Sequence, residues 1–236
     1  KRVLLVDLDP QGNTTMGSGI DKQTCESSVY DVLTEKKSIE DCIVPSETGK
    51  YHLLAANADL VAAEVELIQE IGRETRLRYA LERVSDRYDY VIIDCPPSLN
   101  MLTVNALVAS EGVLIPMQCE YYALEGLTAL MDTIDQVRSS VNPALKIEGL
   151  LRTMFDPRNS LANDVSNQLI SHFGDKVYRT VIPRNVRLAE APSFGAPAMY
   201  YDKSSTGAKA YLALAGEMLR KNEQEKKKNK SVKTTN

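Results

Sequence analysis

The chain has 236 residues, of which 43% are hydrophobic and 25% are charged, and its formal net charge is −4. These proportions are typical of a soluble globular protein, and no apolar run reaches the length of about 18 residues that a membrane-spanning helix needs. An acidic chain binds nucleic acid only through a local basic patch. The four cysteines are scattered without a C-x-x-C pair, which is typical of reduced thiols in a cytosolic protein.

The first thirteen residues, KRVLLVDLDPQGN, combine a buried strand with two acids. The apolar run 3–6 predicts a strand of a parallel sheet, and Asp7 and Asp9 follow it before Pro10 and Gly12 turn the chain. Ligands bind outside the carboxyl ends of such strands, where paired carboxylates are suited to a hydrated Mg²⁺ with a phosphate. The competing interpretation is an acidic surface turn.

Strands and helices alternate along the rest of the chain. Strands are predicted over 51–56, 90–94, 112–117, 146–154 and 177–182, and helices over 27–33, 59–71, 73–84, 100–109, 122–141, 163–173 and 205–219. We expect a loop over 13–21, one domain over 1–222, and a lysine-rich disordered tail over 223–236. The alternation predicts an α/β fold with a doubly wound, mostly parallel sheet flanked by helices.

A second apolar strand, YVIID, also ends on an acid, Asp94. Right-handed crossovers would bring Asp7, Asp9 and Asp94 to the same edge of the sheet. The stretch VIIDCPP looks like a Walker B strand, in which the Asp holds Mg²⁺ beside a nucleotide's phosphates. The alternative is a strand end whose Asp caps a neighbouring helix.

Four stretches together are very specific: DLDPQGN, YDYVIIDCPPS, CEYYALEGL and IPRNVRLAEAPS. They closely resemble the ParA/Soj-type chromosome-partitioning ATPases of the deviant Walker A class, and the likeness extends from residue 1 to about residue 219. The resemblance implies a P-loop NTPase-like fold with ATP and Mg²⁺ as cofactors.

The resemblance also implies roles for single residues. It implies that Asp9 positions the attacking water and also lies at the metal, that Asp7 is the companion acid near the metal, and that Asp94 is the Walker B acid for Mg²⁺. Pro183 and Asn185 match positions that flank and hydrogen-bond the adenine. Phosphoryl transfer to water depends mainly on positioning and charge neutralisation, so these roles form a coherent chemistry.

The partners that the resemblance implies are a second copy of the chain, DNA and a regulator. Members with ATP form a homodimer that binds non-specific double-stranded DNA of the nucleoid, and a ParB/Spo0J-like protein stimulates hydrolysis and releases the DNA. Arg158 and Arg187 match the DNA contacts, and Arg184 is their neighbour; without the resemblance each is an ordinary solvated arginine. The expected location is cytoplasmic and nucleoid-associated, away from membranes.

One departure from the family is large. The phosphate loop K-G-G-x-G-K-T, the strand before it and the helix after it lie upstream of the DxD strand in the family and are absent from this sequence, which begins in mid-strand on Lys1. We therefore expect an amino-terminal truncation that leaves a slot beside the Walker B strand, with unpaired backbone groups on both sides. This chain, expressed alone, is predicted to fold poorly and not to hydrolyse ATP.

Four other interpretations compete with this one. A nucleotide-independent binding module or pseudo-ATPase would not need Asp9 and Asp94. A MinD-like membrane ATPase needs a bulky apolar tail, but residues 221–236 contain no Leu, Ile, Phe or Trp. A phosphoacceptor receiver domain would be about half as long. A metal cluster on Cys95 and Cys119 has no support from the residues around them.

Overall fold

The computed structural model describes residues 1–233, and it describes side-chain surroundings as far as residue 227. The strands are β1 Val3–Asp7, β2 Ile43–Ser46, β3 Tyr51–Leu54, β4 Tyr90–Asp94, β5 Gly112–Gln118, β6 Lys146–Phe155 and β7 Val177–Pro183. The helices are α1 Asn13–Gly17, α2 Val29–Leu33, α3 Ile39–Cys42, α4 Leu60–Glu66, α5 Arg76–Glu82, α6 Met101–Ala109, α7 Ala123–Ser140, α8 Ser160–Phe173, α9 Val186–Glu190, α10 Ala198–Tyr201 and α11 Thr206–Lys233.

The strands form two hydrogen-bonded groups. The first has the order β2-β3-β1-β4 and the second the order β5-β6-β7. All neighbouring pairs are parallel except β2 with β3, which run antiparallel. The predicted α/β fold with a mostly parallel sheet flanked by helices is therefore confirmed.

The sheet is interrupted between β4 and β5. Of the described strands, β4 bonds only to β1 and β5 bonds only to β6. The helix α6 connects them, and it packs into two cores: Leu102 and Ala106 belong to the core of the first group, and Leu107 and Val108 to that of the second. The described strands therefore form two groups that are joined through α6.

Local capping explains where several helices begin. The side chain of Asn100 accepts a hydrogen bond from the Thr103 backbone N–H and starts α6. Asn159 starts α8 in the same way. Ser28 and Asp31 form a capping box at α2. These boundaries lie within a few residues of the predicted ones, because the capping signals are local in sequence.

One prediction about local structure is wrong. Residues 13–17 are helical rather than part of a loop, because the carboxylate of Asp7 caps α1 from the preceding strand. Residues 223–233, the beginning of the predicted tail, continue α11. Glu, Gln and Lys are good helix formers, the segment has no Gly or Pro, and Lys146 of β6 pairs with Glu225. Residues 234–236 of the predicted tail lie outside the described residues.

Within residues 1–233, no helix combines the length and the apolar character that crossing a bilayer requires.

Candidate functional site

The acids at the ends of β1 and β4 are brought together by the register of the two strands. Asp7 and Asp94 are direct partners across the parallel pair. Neighbouring strands are about 4.8 Å apart, so the two carboxylates start from adjacent backbone positions. Beyond the strand, the Leu8 backbone N–H donates to the Asp94 carbonyl at 2.8 Å. The convergence predicted from the sequence is therefore present, with Asp9 in the turn that follows.

Asp7 is fully buried and is occupied by structural hydrogen bonds. Its Oδ2 accepts from the Thr15 backbone N–H at 2.8 Å and from Thr15 Oγ1 at 2.7 Å, and its Oδ1 accepts from the Asp9 N–H at 3.2 Å. Burial raises the pKa of Asp7, the hydrogen bonds from Thr15 oppose that rise, and the charge of Asp94 adds to it. The side chain therefore fixes α1 to β1 and is withdrawn from solvent.

Asp9 lies in a tight turn and is only partly buried. Its Oδ1 accepts from the Gln11 N–H at 2.9 Å, and its carbonyl accepts from the Gly12 N–H at 2.8 Å. Gly12 has a φ of 62°, and a Cβ there would come within 2.8 Å of Lys22 Cδ. The left-handed backbone conformation therefore favours glycine at this position, and a Cβ would also displace the Lys22 side chain. The turn presents the Asp9 carboxylate at the sheet edge.

Asp94 is held by a residue that sequence reasoning missed. Thr14 Oγ1, in the first turn of α1, donates to Asp94 Oδ2 at 2.6 Å. The adjacent Thr15 binds Asp7, and its Oγ1 also accepts from the Ala56 backbone N–H at 2.9 Å. Two consecutive threonines therefore tie α1 to both acids. The only sequence signal was the hydroxyl pair in GNTT.

The positively charged side chain of Lys22 lies beside the turn that carries Asp9. Lys22 Nζ donates to the Gln11 carbonyl, and Lys22 Cδ lies against Gly12. This lysine was not among the predicted site residues, because nothing in its local sequence distinguishes it from other surface lysines. Its position places a positive charge next to the turn that carries Asp9.

The acids fit a magnesium ion in part. Mg²⁺ is usually held by one or two carboxylates, with phosphate oxygens and waters as the other ligands. Asp9 and Asp94 are partly exposed carboxylates at one edge and supply that kind of donor. Among the described residues, no group of three or more His, Cys, Asp and Glu side chains is gathered into a metal cage. The chain thus provides a partial shell that a bound phosphate would complete.

All four cysteines are free thiols. Burial, and then the charge of Asp94, raise the pKa of Cys95 to about 12. Burial also raises the pKa of Cys119, against the opposing charge of Arg152.

The predicted adenine pair lies at the end of β7. Pro183 is the last residue of that strand, and Asn185 caps α9. Asn185 Oδ1 accepts from the Leu188 N–H at 3.3 Å, and its Nδ2 donates to Thr206 Oγ1 at 2.8 Å. The amide of Asn185 is therefore already engaged in positioning α9 against α11.

The segment after α9 packs against the end of α1. The Gly195 carbonyl accepts from Thr48 Oγ1 at 2.8 Å, and a Cβ on Gly19 would lie 2.9 Å from that carbonyl. Pro192 lies beside Gly17, the last residue of α1. Packing of residues 191–195 against α1 explains how the distant motifs DLDPQGN and IPRNVRLAEAPS belong to one region.

The three predicted DNA-binding arginines occupy two clusters. Arg158 forms a bidentate pair with Asp156, with Nε to Oδ1 at 2.9 Å and Nη2 to Oδ2 at 2.7 Å. These hydrogen bonds lower the pKa of Asp156 to about 2, and the charge of Arg184 contributes. Arg158 remains 88% exposed. The structure thus brings Arg158 and Arg184 together around one carboxylate.

Arg187 belongs to the second cluster. Its Nη1 lies 2.8 Å from Glu190 Oε2, and its Nε lies 3.4 Å from Asp202 Oδ2. The side chain is about half exposed, at 52%. Arg158 and Arg187 are therefore both neutralised in part by carboxylates of their own chain.

Known proteins share this sequence and architecture. Residues 1–147 match the family described as an AAA domain. The chain is 53% identical over 218 residues to the sporulation initiation inhibitor protein Soj of Bacillus subtilis, covering 92% of this chain and 86% of Soj. It is 52% identical over 221 residues to the chromosome partitioning protein ParA of Caulobacter vibrioides, covering 93% and 83%.

A solved structure adds a nucleotide complex. The cobyrinic acid a,c-diamide synthase of Mycobacterium smegmatis, with bound ATP analog and magnesium, superimposes with a TM-score of 0.82 at 38% sequence identity. The match covers 93% of this chain and 82% of that one. With more than half of the residues identical to Soj and to ParA over nearly its whole length, the chain belongs to the ParA/Soj family of chromosome-partitioning ATPases.

Proposed function

We propose that the protein is the magnesium- and ATP-dependent switch of a chromosome or plasmid partition system. In this proposal it hydrolyses ATP to ADP and phosphate, dimerises with ATP bound, and holds non-specific double-stranded DNA in that state. The observation that carries the proposal is the meeting of Asp94 and the Asp9 turn at the carboxyl edge of β1 and β4. The relationship to Soj and ParA supports it.

Asp7, Asp9 and Asp94 have different proposed roles because their surroundings differ. Asp94, oriented by Thr14, and the partly exposed Asp9 are the residues that would hold Mg²⁺. When bound, the ion neutralises charge on the phosphates. Asp9 orients the attacking water and accepts a hydrogen bond from it. Asp7, bonded to Thr15, keeps α1 and the Asp9 turn in place.

The described residues supply no glycine-rich cradle for the phosphates. Backbone N–H groups of such a loop bind phosphate oxygens, and the sequence contains no K-G-G-x-G-K-T. In this proposal the cradle is contributed by a segment like the part of Soj outside the match, about a seventh of its length. Lys22, beside the Asp9 turn, adds one positive charge.

We propose that Pro183 and Asn185 receive the adenine. Asn185 already bonds to Leu188 and Thr206, so base recognition by its amide requires exchange of one of these partners. Pro183 contributes an apolar ring at the end of β7. This arrangement would link nucleotide binding to the position of α9, which carries Arg187.

The proposed DNA face consists of Arg158, Arg184 and Arg187. For DNA to bind, phosphates must replace Asp156 as the partner of Arg158, and Glu190 and Asp202 as partners of Arg187. Exposed ion pairs of this kind contribute little stability, so the exchange costs little. Dimerisation doubles the number of arginines, and binding should then depend steeply on salt.

A ParB-type protein is the proposed stimulating partner, and the proposed location is the cytoplasm, on the nucleoid. These proposals rest on the relationship to partition proteins.

A second candidate is a binding module of the same fold that works without nucleotide. It is the alternative that the sequence as given leaves open, because residues 1–236 contain no K-G-G-x-G-K-T. The observation against it is that Asp7 and Asp94 face each other across β1 and β4, an arrangement that is costly unless a positive charge compensates it. The two candidates differ in whether Mg²⁺-ATP changes the protein's affinity for DNA.

The test uses an extended chain, which we define as this chain preceded by the Soj residues outside the match. Arg187→Glu in the extended chain is expected to abolish DNA retention, while ATP-driven dimerisation persists. Arg138→Glu is the matched control, because Arg138 is similarly exposed and is paired within one helical turn. Gel-shift and sedimentation measurements with and without Mg²⁺-ATP report both properties. Retention of DNA by the Arg187 variant would refute the proposed face.

A further inference from the structure

The last part of α11 concentrates positive charge in an acidic protein. Residues 220–233, which we call the basic helix, contain seven Lys and Arg residues and two Glu residues, a net charge of +5. The whole chain carries −4, so subtracting +5 leaves −9 on the other residues. Because the rest of the molecule repels anions, a segregated basic segment of this kind indicates a local contact with a polyanion.

The basic helix is continuous with the domain and extends from it. The backbone of α11 is helical from Thr206 to Lys233, and at 1.5 Å per residue the basic helix is about 21 Å long. The side chains of residues 223–227 are all exposed. Positions 226, 230 and 233 are lysines at a spacing of four and then three residues, so they lie on one face of the helix. The helix therefore carries a row of lysine positions along one side.

Two contacts hold the start of the basic helix at the amino-terminal ends of β6 and β7. Glu225 pairs with Lys146, which is the first residue of β6. Lys221 Nζ donates to the carbonyl of Asp175, just before β7, at 3.2 Å, and lies 4.1 Å from the centre of the Tyr178 ring. These contacts fix the end of the sheet from which the basic helix extends.

This location is at the opposite end of the sheet from the proposed DNA face. Arg158 follows β6, and Arg184 and Arg187 follow β7, so all three lie at the carboxyl ends of the strands. The strand β6 alone extends for about 30 Å, at about 3.3 Å per residue. The basic helix is therefore a separate surface from the three arginines, and it is also remote from the acids at the carboxyl edge.

The composition of the basic helix favours phosphates of DNA over a membrane. A helix that binds a bilayer surface needs a bulky apolar face, and Val232 is the one apolar residue in the sequence 220–233. Lysine is a flexible point charge that binds phosphate without fixed geometry. A DNA duplex presents one negative charge per about 1.7 Å of its axis, so a helix of this length can lie beside about twelve phosphates.

We propose that the basic helix is a second DNA-binding surface, which binds the phosphates of a duplex without sequence preference and without nucleotide. This surface goes beyond the proposed function, because it uses neither ATP, nor Mg²⁺, nor the arginines at the carboxyl ends of the strands. It allows the protein to stay on DNA when the ATP-dependent contact is lost.

The experiment measures the affinity of this chain for a fluorescently labelled DNA duplex of mixed sequence, by anisotropy, over a series of salt concentrations without nucleotide or Mg²⁺. The test variant combines Lys226→Gln, Lys230→Gln and Lys233→Gln, since glutamine keeps the helix propensity and removes the charge. We expect it to weaken binding about tenfold or more, and to reduce the slope of log affinity against log salt by about 2–3, because each phosphate contact contributes about 0.9.

The matched control removes the same number of charges elsewhere. It combines Lys36→Gln, Lys37→Gln and Lys50→Gln, which are exposed lysines between α2 and α3 and between β2 and β3. The control is expected to bind DNA within about twofold of the unchanged chain and to keep its salt slope. Circular dichroism of the three proteins verifies that their helix content is equal. Because nucleotide is absent, a failure of the ATP-dependent function leaves this result unaffected.

Four outcomes would overturn the proposal. The first is that the unchanged chain does not bind the duplex, and the second is that both triple variants weaken binding equally. The third is that the test variant keeps its affinity for DNA but loses binding to phosphatidylserine vesicles, which would assign the basic helix to a membrane. The fourth is that DNA binding is unchanged while sedimentation shows a loss of self-association, which would assign the helix to the acidic surface of a second copy.

Discussion

At the scale of single residues, the site is built on hydroxyl-to-carboxylate bonds between α1 and the two strands. Thr15 is buried and makes three hydrogen bonds: its backbone N–H and its hydroxyl both donate to Asp7, and its hydroxyl accepts from the Ala56 N–H. The side chain of Thr14 donates one hydrogen bond, to the partly exposed Asp94. Thr14 and Thr15 are adjacent and identical in type, but more buried hydrogen bonds depend on Thr15 than on Thr14.

Thr15→Val in the extended chain is expected to lower the free energy of unfolding by about 1–3 kcal/mol, because it leaves a buried carboxylate oxygen and a buried N–H short of partners. Thr14→Val is the matched control and should cost less, since water can reach Asp94. Urea unfolding monitored by circular dichroism measures both. A larger cost at Thr14 would contradict the assignment.

At the scale of elements, α11 protects the open outer edge of β7. Glu217 of α11 accepts from the backbone N–H groups of Arg179 and Thr180, each at 2.9 Å, and from Thr180 Oγ1 at 2.7 Å. The pKa of Glu217 is lowered: burial raises it, but the bonds from Thr180 and Arg179 outweigh that effect. A carboxylate thus terminates the sheet.

This contact predicts a pH-dependent contribution to stability. Because the folded pKa of Glu217 lies below its ordinary value of 4.5, its contribution is present above that value and is lost as the pH falls through the folded pKa. Glu217→Gln should cost about 1–2 kcal/mol at pH 7, and the difference from the unchanged protein should shrink in acid. Glu223→Gln, on the same helix, is the control. A cost independent of pH would contradict the role.

Predictions from the sequence succeeded where the signal was local or followed a general rule of sheets. The strand Tyr90–Asp94 was predicted with its observed bounds, because it is a continuous apolar run ended by an acid. The approach of Asp7 to Asp94 followed from parallel strands sharing an edge. Both required no knowledge of distant contacts.

Predictions failed where a distant residue decides the local structure. Residues 13–17 were expected to belong to a loop. The side chain that caps α1 is that of Asp7, on the preceding strand, and the local sequence pattern does not reveal this contact. The antiparallel strand β2 was not predicted, because it is short and contains Pro45, which is typical of an edge strand. The partners of Thr14 and Thr15 depend on strand register, which the sequence does not state.

At the scale of the whole molecule, the interruption between β4 and β5 governs behaviour. This chain by itself is predicted to unfold over a broad transition and to show no ATP turnover, because among the described strands β4 and β5 are not bonded to each other and the sequence as given contains no K-G-G-x-G-K-T. Calorimetry and phosphate release measure these properties. A sharp two-state transition together with clear turnover would show that the chain is sufficient by itself.

The most direct test of the account is ATP turnover by the extended chain with Asp9 replaced. The unchanged extended chain should hydrolyse ATP in the presence of Mg²⁺, and a ParB-type partner with DNA should increase the rate. Asp9→Ala should still dimerise with ATP but should not release phosphate above background, because the substitution removes the carboxylate that this turn presents at the sheet edge. Normal turnover by Asp9→Ala would remove Asp9 from the mechanism and contradict the proposed site.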